Sequence, residues 1–293
     1  MRKQILYFFL SVSFIAFISS CNNKPSGEAY TLKMRLAPGD SFKQDMDMLM
    51  TTNVETMGFK VENEMGMKML MNFEVLGDTA GLKKIRMTYE DAKMSMKLKG
   101  VPGADEMNTD SLMNISSERL KGKTVTLLVN ANNEVVDVQG FDQFLENENL
   151  DATTQLQVKK MFSKEQMNSM FGMMFQLYPE KPVRVGESWD KNISTSIADI
   201  KMTMKGKYKL KAVSNDIATI DIVGDFSGKG KMSQGQMDMN MDLKGSQDGQ
   251  MNVGLKDGYL KDADYKLDMK GEMNAMGQKV PMEIKGKYMI KGK

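Results

Sequence analysis

The chain has 293 residues with 40 basic and 38 acidic side chains, and methionine occupies 32 positions. It contains no histidine and a single cysteine, which excludes His-dependent nucleophilic catalysis, His-ligated zinc and an internal disulfide. A near-neutral chain without a basic run has no electrostatic footprint for nucleic acid, so no nucleic-acid partner is predicted.

Residues 1–20 have the organisation of a secretory signal peptide. Arg2 and Lys3 precede a mostly apolar run over residues 5–18, which is shorter than the roughly 20 residues that a spanning helix needs. The run ends in two serines and Cys21, a pattern that resembles the lipobox of bacterial lipoproteins. The resemblance implies cleavage before Cys21 and acylation of its thiol and new amine. Without Arg2 and Lys3, the mature charge is 38 − 38 = 0.

The lipid on Cys21 is the predicted link to the membrane, because two or more acyl chains attach a protein stably. Residues 21–29 are polar and turn-rich and predict a short tether. Asn22 follows the cysteine, where lipoproteins retained in the inner membrane carry Asp, so lipoprotein sorting by analogy points to the outer membrane. We expect a lipid-anchored protein of the cell envelope that faces the periplasm.

Methionines alternate with polar residues in several stretches of the mature chain. Side chains two residues apart share one face of a strand but are scattered around a helix, so this period predicts half-buried antiparallel strands with one methionine face. That face is our candidate site for an apolar ligand, and its residues are Met46, Met48, Met50, Met65, Met67, Met69, Met71, Met94, Met96, Met202, Met204, Met237, Met239 and Met241.

The middle of the chain has a helical pattern instead. Ser163 and Gln166 match a capping box, apolar residues follow at helical spacing as far as Tyr178, and Pro179 marks the end. An amphipathic helix here would pack on the methionine face. We therefore predict a mainly β, α+β fold of curved antiparallel sheets, either two similar β units or a half-barrel, with a central helical segment.

The predicted organisation has five parts. A signal peptide (1–20) and a tether (21–29) precede an N-terminal antiparallel β unit (30–139), a helical segment (140–180) and a C-terminal antiparallel β unit (181–293).

A short internal echo links the two predicted β units. Residues 38–42 and 185–189 both place glycine, an acid, serine and an aromatic residue in that order. The echo allows either an internal repeat or two ordinary turns at the start of a strand. We expect the aromatic residues, Phe42 and Trp189, to anchor their strands.

Several short motifs resemble a family of uncharacterised envelope lipoproteins, classed as a domain of unknown function. They are the lipobox at Cys21 and the segments 36–41, 122–124, 134–140 and 181–189. The resemblance implies an acylated, secreted, β-rich protein and brings no known activity. The architecture is also similar to that of periplasmic lipoprotein carriers, in which a curved sheet holds acyl chains.

Three roles are open for the methionines. They can fill the core, line a deformable groove for an apolar or acyl ligand, or bind Cu(I) through their thioethers. Neither a cofactor nor a catalytic or metal site is predicted. We expect a non-enzymatic binding or scaffold module for an apolar ligand or an envelope protein partner. The alternatives are a Cu(I)-binding protein and a hydrolase that uses carboxylates or the pair Ser188 and Lys191.

Overall fold

The computed structural model describes residues 27–56, 58–100, 118, 120–140, 175–197, 200–234, 237–275 and 278–293. The predicted signal peptide and its Cys21 lie outside these residues, as does the greater part of the predicted helical segment. Within the described part of the chain, no helix has the length and apolar character that crossing a membrane requires.

The described residues form strands that are long in both halves of the chain. In the N-terminal half they are β1 (Ala29–Tyr30), β2 (Ser41–Thr56), β3 (Phe59–Thr79), β4 (Leu82–Lys99), β5 (Thr124–Val129) and β6 (Val135–Gln139). In the C-terminal half they are β7 (Val183–Arg184), β8 (Ser188–Ile197), β9 (Ile200–Ser214), β10 (Ile217–Gln234), β11 (Met237–Gly254), β12 (Leu260–Ala275) and β13 (Gln278–Gly292).

Strands from both halves join in one 11-stranded antiparallel sheet. Its order is β6-β5-β4-β3-β2-β13-β12-β11-β10-β9-β8, while β1 and β7 pair separately. Strands β2 to β6 form one meander and β8 to β13 form another. The two meanders meet where β2 pairs with β13, from Gln44 opposite Gly292 to Val54 opposite Met282. The antiparallel, mainly β part of the prediction is confirmed.

The α+β prediction with a central helical segment is wrong. The elements of the described chain are all strands, and extended chain at residues 32–36 covers part of the core. Leu32, Met34 and Leu36 alternate with exposed residues and are each 3–4% exposed in the core. Phe175 and Tyr178, from the end of the predicted helical segment, belong to the same core.

The hydrogen bonds of residues 34 and 35, in the extended segment over the core, also show that the sheet is curled. The carbonyl of Met34 accepts from Asn133, in the β5–β6 turn, while the next backbone amide, of Arg35, donates to Asp257 in the β11–β12 turn. Strands β4, β3, β2 and β13 lie between β5 and β12, so a flat sheet would hold the two turns roughly 25 Å apart at ~4.8 Å a strand. Both turns contact one peptide group, so this end of the sheet, which we call the capped end, closes on itself.

The main core fills the capped end. Its largest fully buried side chains come from both meanders and include Phe73, Ile85 and Leu127 from one and Tyr208 and Ile220 from the other. Burying each such side chain is worth roughly 1.5–3 kcal/mol. The core therefore fixes the capped end, and the hairpins that extend away from it carry the rest of the methionine face.

The echo motifs form the same turn twice. The amide of Ala37 donates to the carboxylate of Asp40, and the amide of Arg184 donates to that of Glu187. Gly39, between the first pair, has φ +90° and donates to Val75. Gly186 repeats this with φ +92° and Leu210 as its acceptor, and both conformations favour glycine.

Each turn is followed by an aromatic residue that packs in the core. Phe42 stacks on Phe73 and Tyr259 with ring centroids 4.8 and 4.4 Å apart. Trp189 stacks on Tyr208 and donates its indole N–H to the carbonyl of Leu177. Each aromatic side chain therefore ties the first strand of its meander to the capped end.

Candidate apolar-ligand site

Strand register places all of the predicted methionines on one face of the sheet, which we call the inner face. Met48 lies opposite Met67, which lies opposite Met94, and Met50, Met65 and Met96 form the next row. The β2–β13 pairing continues this face into the C-terminal meander, where the register positions of Met202, Met204, Met237, Met239 and Met241 belong to the same side. The period-two pattern thus identified one continuous surface.

The methionines of this face differ in exposure. One contiguous group in β2, β3 and β4 is partly exposed, and we call it the methionine patch: Met46, Met48, Met50, Met65, Met67, Met94 and Met96. Met69 and Met71 are 5% and 2% exposed and belong to the main core. The patch therefore continues directly from the core, against which Met46, Met67 and Met94 pack while they stay partly exposed.

The methionines of the C-terminal meander have a different role. Met202, Met204 and Met241 are each 7–8% exposed, and Met202 and Met241 belong to a second core cluster with Leu243 and Ile284. For these residues the side-chain packing of a core is a sufficient explanation. For Met237 and Met239 the structure describes the strand pairing but not the side chains.

Glycines explain why the second cluster is packed tightly. Gly245 stands between Phe226 and Met269 on the inner face, and a Cβ there would lie 2.1 Å from the carbonyl oxygen of Asp268. Gly271 and Gly286 alternate with large side chains in the same way. Small and large residues that alternate across strands let an inner face close. The inner-face register positions of β2 and β3 that pair with each other carry no glycine, and their methionines at the patch are partly exposed.

Polar groups limit the methionine patch at both ends. Gln44, one inner-face position before Met46 on β2, is 3% exposed, and its side-chain oxygen has no hydrogen-bond partner among the described residues. At the other end, Thr52 lies opposite Asn63, whose buried side-chain oxygen likewise has none within the described chain. Sequence reasoning missed Gln44, although an amide at a methionine position was a visible break in the pattern.

A shallow depression lies beyond this second limit, near the free ends of the hairpins. It has a volume of about 330 Å³ and is lined by apolar Val54 and Met282 together with Lys60, Lys270 and Glu283. Its size is at the lower end for small-molecule sites. Lys60, Lys270 and Glu283 occupy register positions on the face opposite to the methionines, so the depression is not an extension of the methionine patch.

The opposite, outer face is charged. Lys68 pairs with Asp47 at 2.9 Å and Lys99 with Glu62 at 2.7 Å, and in each case the carboxylate raises the pKa of the lysine. Exposed pairs of this kind contribute little to stability, because water and salt screen them. Their main consequence here is that the two faces of β2 and β3 differ sharply in polarity.

The residues proposed for a hydrolase are not brought together. Ser188 lies opposite Lys209 and Lys191 opposite Gly206, and residues three apart in a strand point to opposite faces. Among the described residues, no group of three or more acidic side chains has the arrangement of a metal site.

A family model described as a family of unknown function (DUF6263) matches residues 80–260 of the chain. No curated protein matches the sequence. A solved structure of lipovitellin, described for its lipid–protein interactions, is similar with a TM-score of 0.50 and 8% identity. The match covers 88% of this chain and 25% of the lipovitellin chain, so this chain spans about a quarter of that protein and the likeness concerns the fold alone.

An outer membrane channel from Pseudomonas putida F1 also matches, at 12% identity over 89% of this chain and 97% of the channel. Its TM-score of 0.20 is too low for a structural comparison to be drawn from it.

Proposed function

We propose the following role for the chain, which belongs to the DUF6263 family of unknown function: it is a lipid-anchored protein of the cell envelope that binds an apolar or acyl ligand on its methionine patch. The role is binding or scaffolding without catalysis. One observation carries the proposal, namely that a contiguous group of methionines on the inner face is partly exposed while neighbouring methionines are buried.

The chemistry of methionine supports a ligand surface. Its unbranched thioether side chain repacks around partners of different shape, and contiguous exposed apolar surfaces in proteins usually bind something. The likeness to lipovitellin, a protein described for its lipid interactions, makes a lipid-like chain a suitable probe.

The anchor is proposed from the sequence. Acylation of Cys21 would leave a short tether before Gly27, the first residue that the structure describes. We expect mass spectrometry of the mature N-terminus to find an acylated cysteine, and Cys21→Ser to move the protein out of the membrane fraction. A mature N-terminus at another residue would contradict the anchor and would leave ligand binding untouched.

Ligand binding is tested by displacement of an apolar fluorescent dye from the full mature chain with Cys21→Ser. Met67 is the informative position, because it lies between Met48 and Met94 at the centre of the methionine patch. We expect Met67→Gln to weaken the binding of dodecanol about tenfold, which corresponds to about 1.4 kcal/mol.

Leu49→Gln is the matched control. Leu49 is 44% exposed and points to the outer face of the same strand, between Met48 and Met50. It should leave the affinity for dodecanol unchanged. Equal losses in both variants, or a wild-type chain that binds neither dye nor dodecanol, would refute a ligand site on the methionine patch.

Binding of Cu(I) is a second candidate, favoured by the rows of methionine. Side chains directly opposite in neighbouring strands have Cβ atoms about 5 Å apart, so the thioethers of Met48, Met67 and Met94 can converge on one soft ion. Met67→Leu separates the two functions, because it removes the sulfur and keeps the apolar surface. Loss of Cu(I) affinity in a competition titration, with dodecanol binding kept, would support this candidate.

A further inference from the structure

Gln44 is a buried polar residue at the inner end of an apolar surface. Its side chain is on the inner face of β2, opposite Met71 and Gly292 and next to Met46 along the strand. It is 3% exposed, and its oxygen has no hydrogen-bond partner among the described residues. A buried acceptor without a partner is rare in folded proteins, because it is unfavourable by about 1–3 kcal/mol.

The position of Gln44 relates it to the methionine patch. On one side are the closed core residues Phe42 and Phe73, and on the other are Met46 and Met48, which are partly exposed. A chain that lies along the patch towards the capped end therefore points at this amide, and it reaches the buried oxygen when the flexible side chain of Met46 repacks. From Gln44 to Thr52, at the other limit of the patch, is roughly 26 Å at ~3.3 Å per residue, which suits an elongated ligand.

We propose that Gln44 recognises the head of the ligand: the side-chain oxygen accepts a hydrogen bond from a hydroxyl or other neutral donor at the end of an acyl or alkyl chain. This inference rests on the proposed function, because it requires the chain of the ligand to occupy the methionine patch. It adds a ligand class, namely long-chain amphiphiles with a neutral, donating head that enters first. A carboxylate head is disfavoured, because its buried charge would meet a second acceptor.

The test compares dodecanol with its methyl ether, which keeps the alkyl chain and lacks the donor. Both are titrated against dye bound to the full mature chain with Cys21→Ser. We expect the wild type to bind dodecanol about 5–10-fold more tightly than the ether. Gln44→Met keeps the length of the side chain and removes the acceptor, so the two affinities should become equal while the ether binds at least as well as before.

The variant also reports on its own folding. Replacement of a buried amide whose oxygen has no partner among the described residues by methionine should raise the melting temperature of the ligand-free protein, so a loss of preference cannot be ascribed to unfolding. Asn63→Leu, at the other limit of the patch, is the matched control and should keep the preference for dodecanol.

The outcomes separate this inference from the proposed function. If neither compound displaces the dye, the proposed function fails. If the wild type binds both compounds equally or prefers the ether, the role of Gln44 is overturned while the apolar site stands. Loss of the preference in Asn63→Leu and its retention in Gln44→Met would also overturn it.

Discussion

Replacement of Gly258 by alanine should destabilise the protein strongly, because the capped end closes at this residue. Gly258 has φ +71°, and a Cβ there would lie 2.1 Å from the carbonyl oxygen of Lys33 and 2.7 Å from the Cα of Met34. The obstacle is the backbone of residues 32–36, which we call the covering segment, and backbone cannot rotate away as a side chain can. Either this segment or the β11–β12 turn must shift.

The expected loss has two parts. The left-handed conformation disfavours alanine by roughly 1–2 kcal/mol. The displacement weakens the hydrogen bond from Arg35 to Asp257 and the one that Tyr178 donates to the carbonyl of Gly258, each worth about 1 kcal/mol. Together these give about 3–4 kcal/mol, a large share of the 5–15 kcal/mol by which proteins are typically stable.

Urea unfolding, followed by circular dichroism, measures this loss. Gly39→Ala is the control, because Gly39 has φ +90° and open space around its Cα, so it should lose the conformational part alone. We expect Gly258→Ala to exceed Gly39→Ala by about 2 kcal/mol. Equal losses would mean that the covering segment does not press on the β11–β12 turn, and the account of the capped end would be refuted.

Three further predictions concern burial and packing. Burial raises the pKa of Tyr208 to about 12, above the value of about 10 in unfolded chains. Because the unfolded chain loses this proton first, the contribution of Tyr208 to stability should be complete below pH ~10 and fall as the pH rises towards ~12. A urea midpoint that does not change with pH over that range would contradict this prediction. Gly245→Ala on the inner face should lower the free energy of unfolding by about 1–3 kcal/mol. Gly66→Ala on the outer face, where the new Cβ meets only a serine side chain, should change it by no more than about 0.5 kcal/mol. Equal urea midpoints for the two variants would contradict the tight packing of the inner face around Gly245. In the same urea assay, Asp40→Ala should destabilise by about 2 kcal/mol and Glu187→Ala by about 1 kcal/mol, because the carboxylate of Asp40 also accepts from Tyr259; the reverse order would contradict this.

The methionine face could be predicted from the sequence because it depends on period two alone. Residues 65–71 place every second side chain on one side of any strand that they form, whichever strands lie beside it. Strand pairing then places these side chains opposite one another, so the predicted methionines of β2, β3 and β4 form rows across the sheet.

The difference between the two meanders could not be predicted, because it depends on pairs that are distant in the chain. Gly245 matters through its position between Phe226 and Met269, and no local pattern gives that register. The prediction of a central helix over the sheet was wrong for a related reason. Leu32, Met34 and Leu36 alternate like a strand, and the peptide group between Met34 and Arg35 bonds to turns from opposite halves of the sheet, so extended chain covers this part of the core.

The central claim is that the partly exposed methionines of one meander bind an apolar chain while those of the core do not. Nuclear magnetic resonance with methyl-labelled methionine tests it directly, since each methyl group reports its own surroundings during a titration with dodecanol. We predict that the signals of Met48, Met67 and Met94 shift in a saturable manner, whereas those of Met87 and Met251, which are 0% and 1% exposed, stay in place. Unchanged signals from the methionine patch, or shifts distributed evenly over all methionines, would contradict the account.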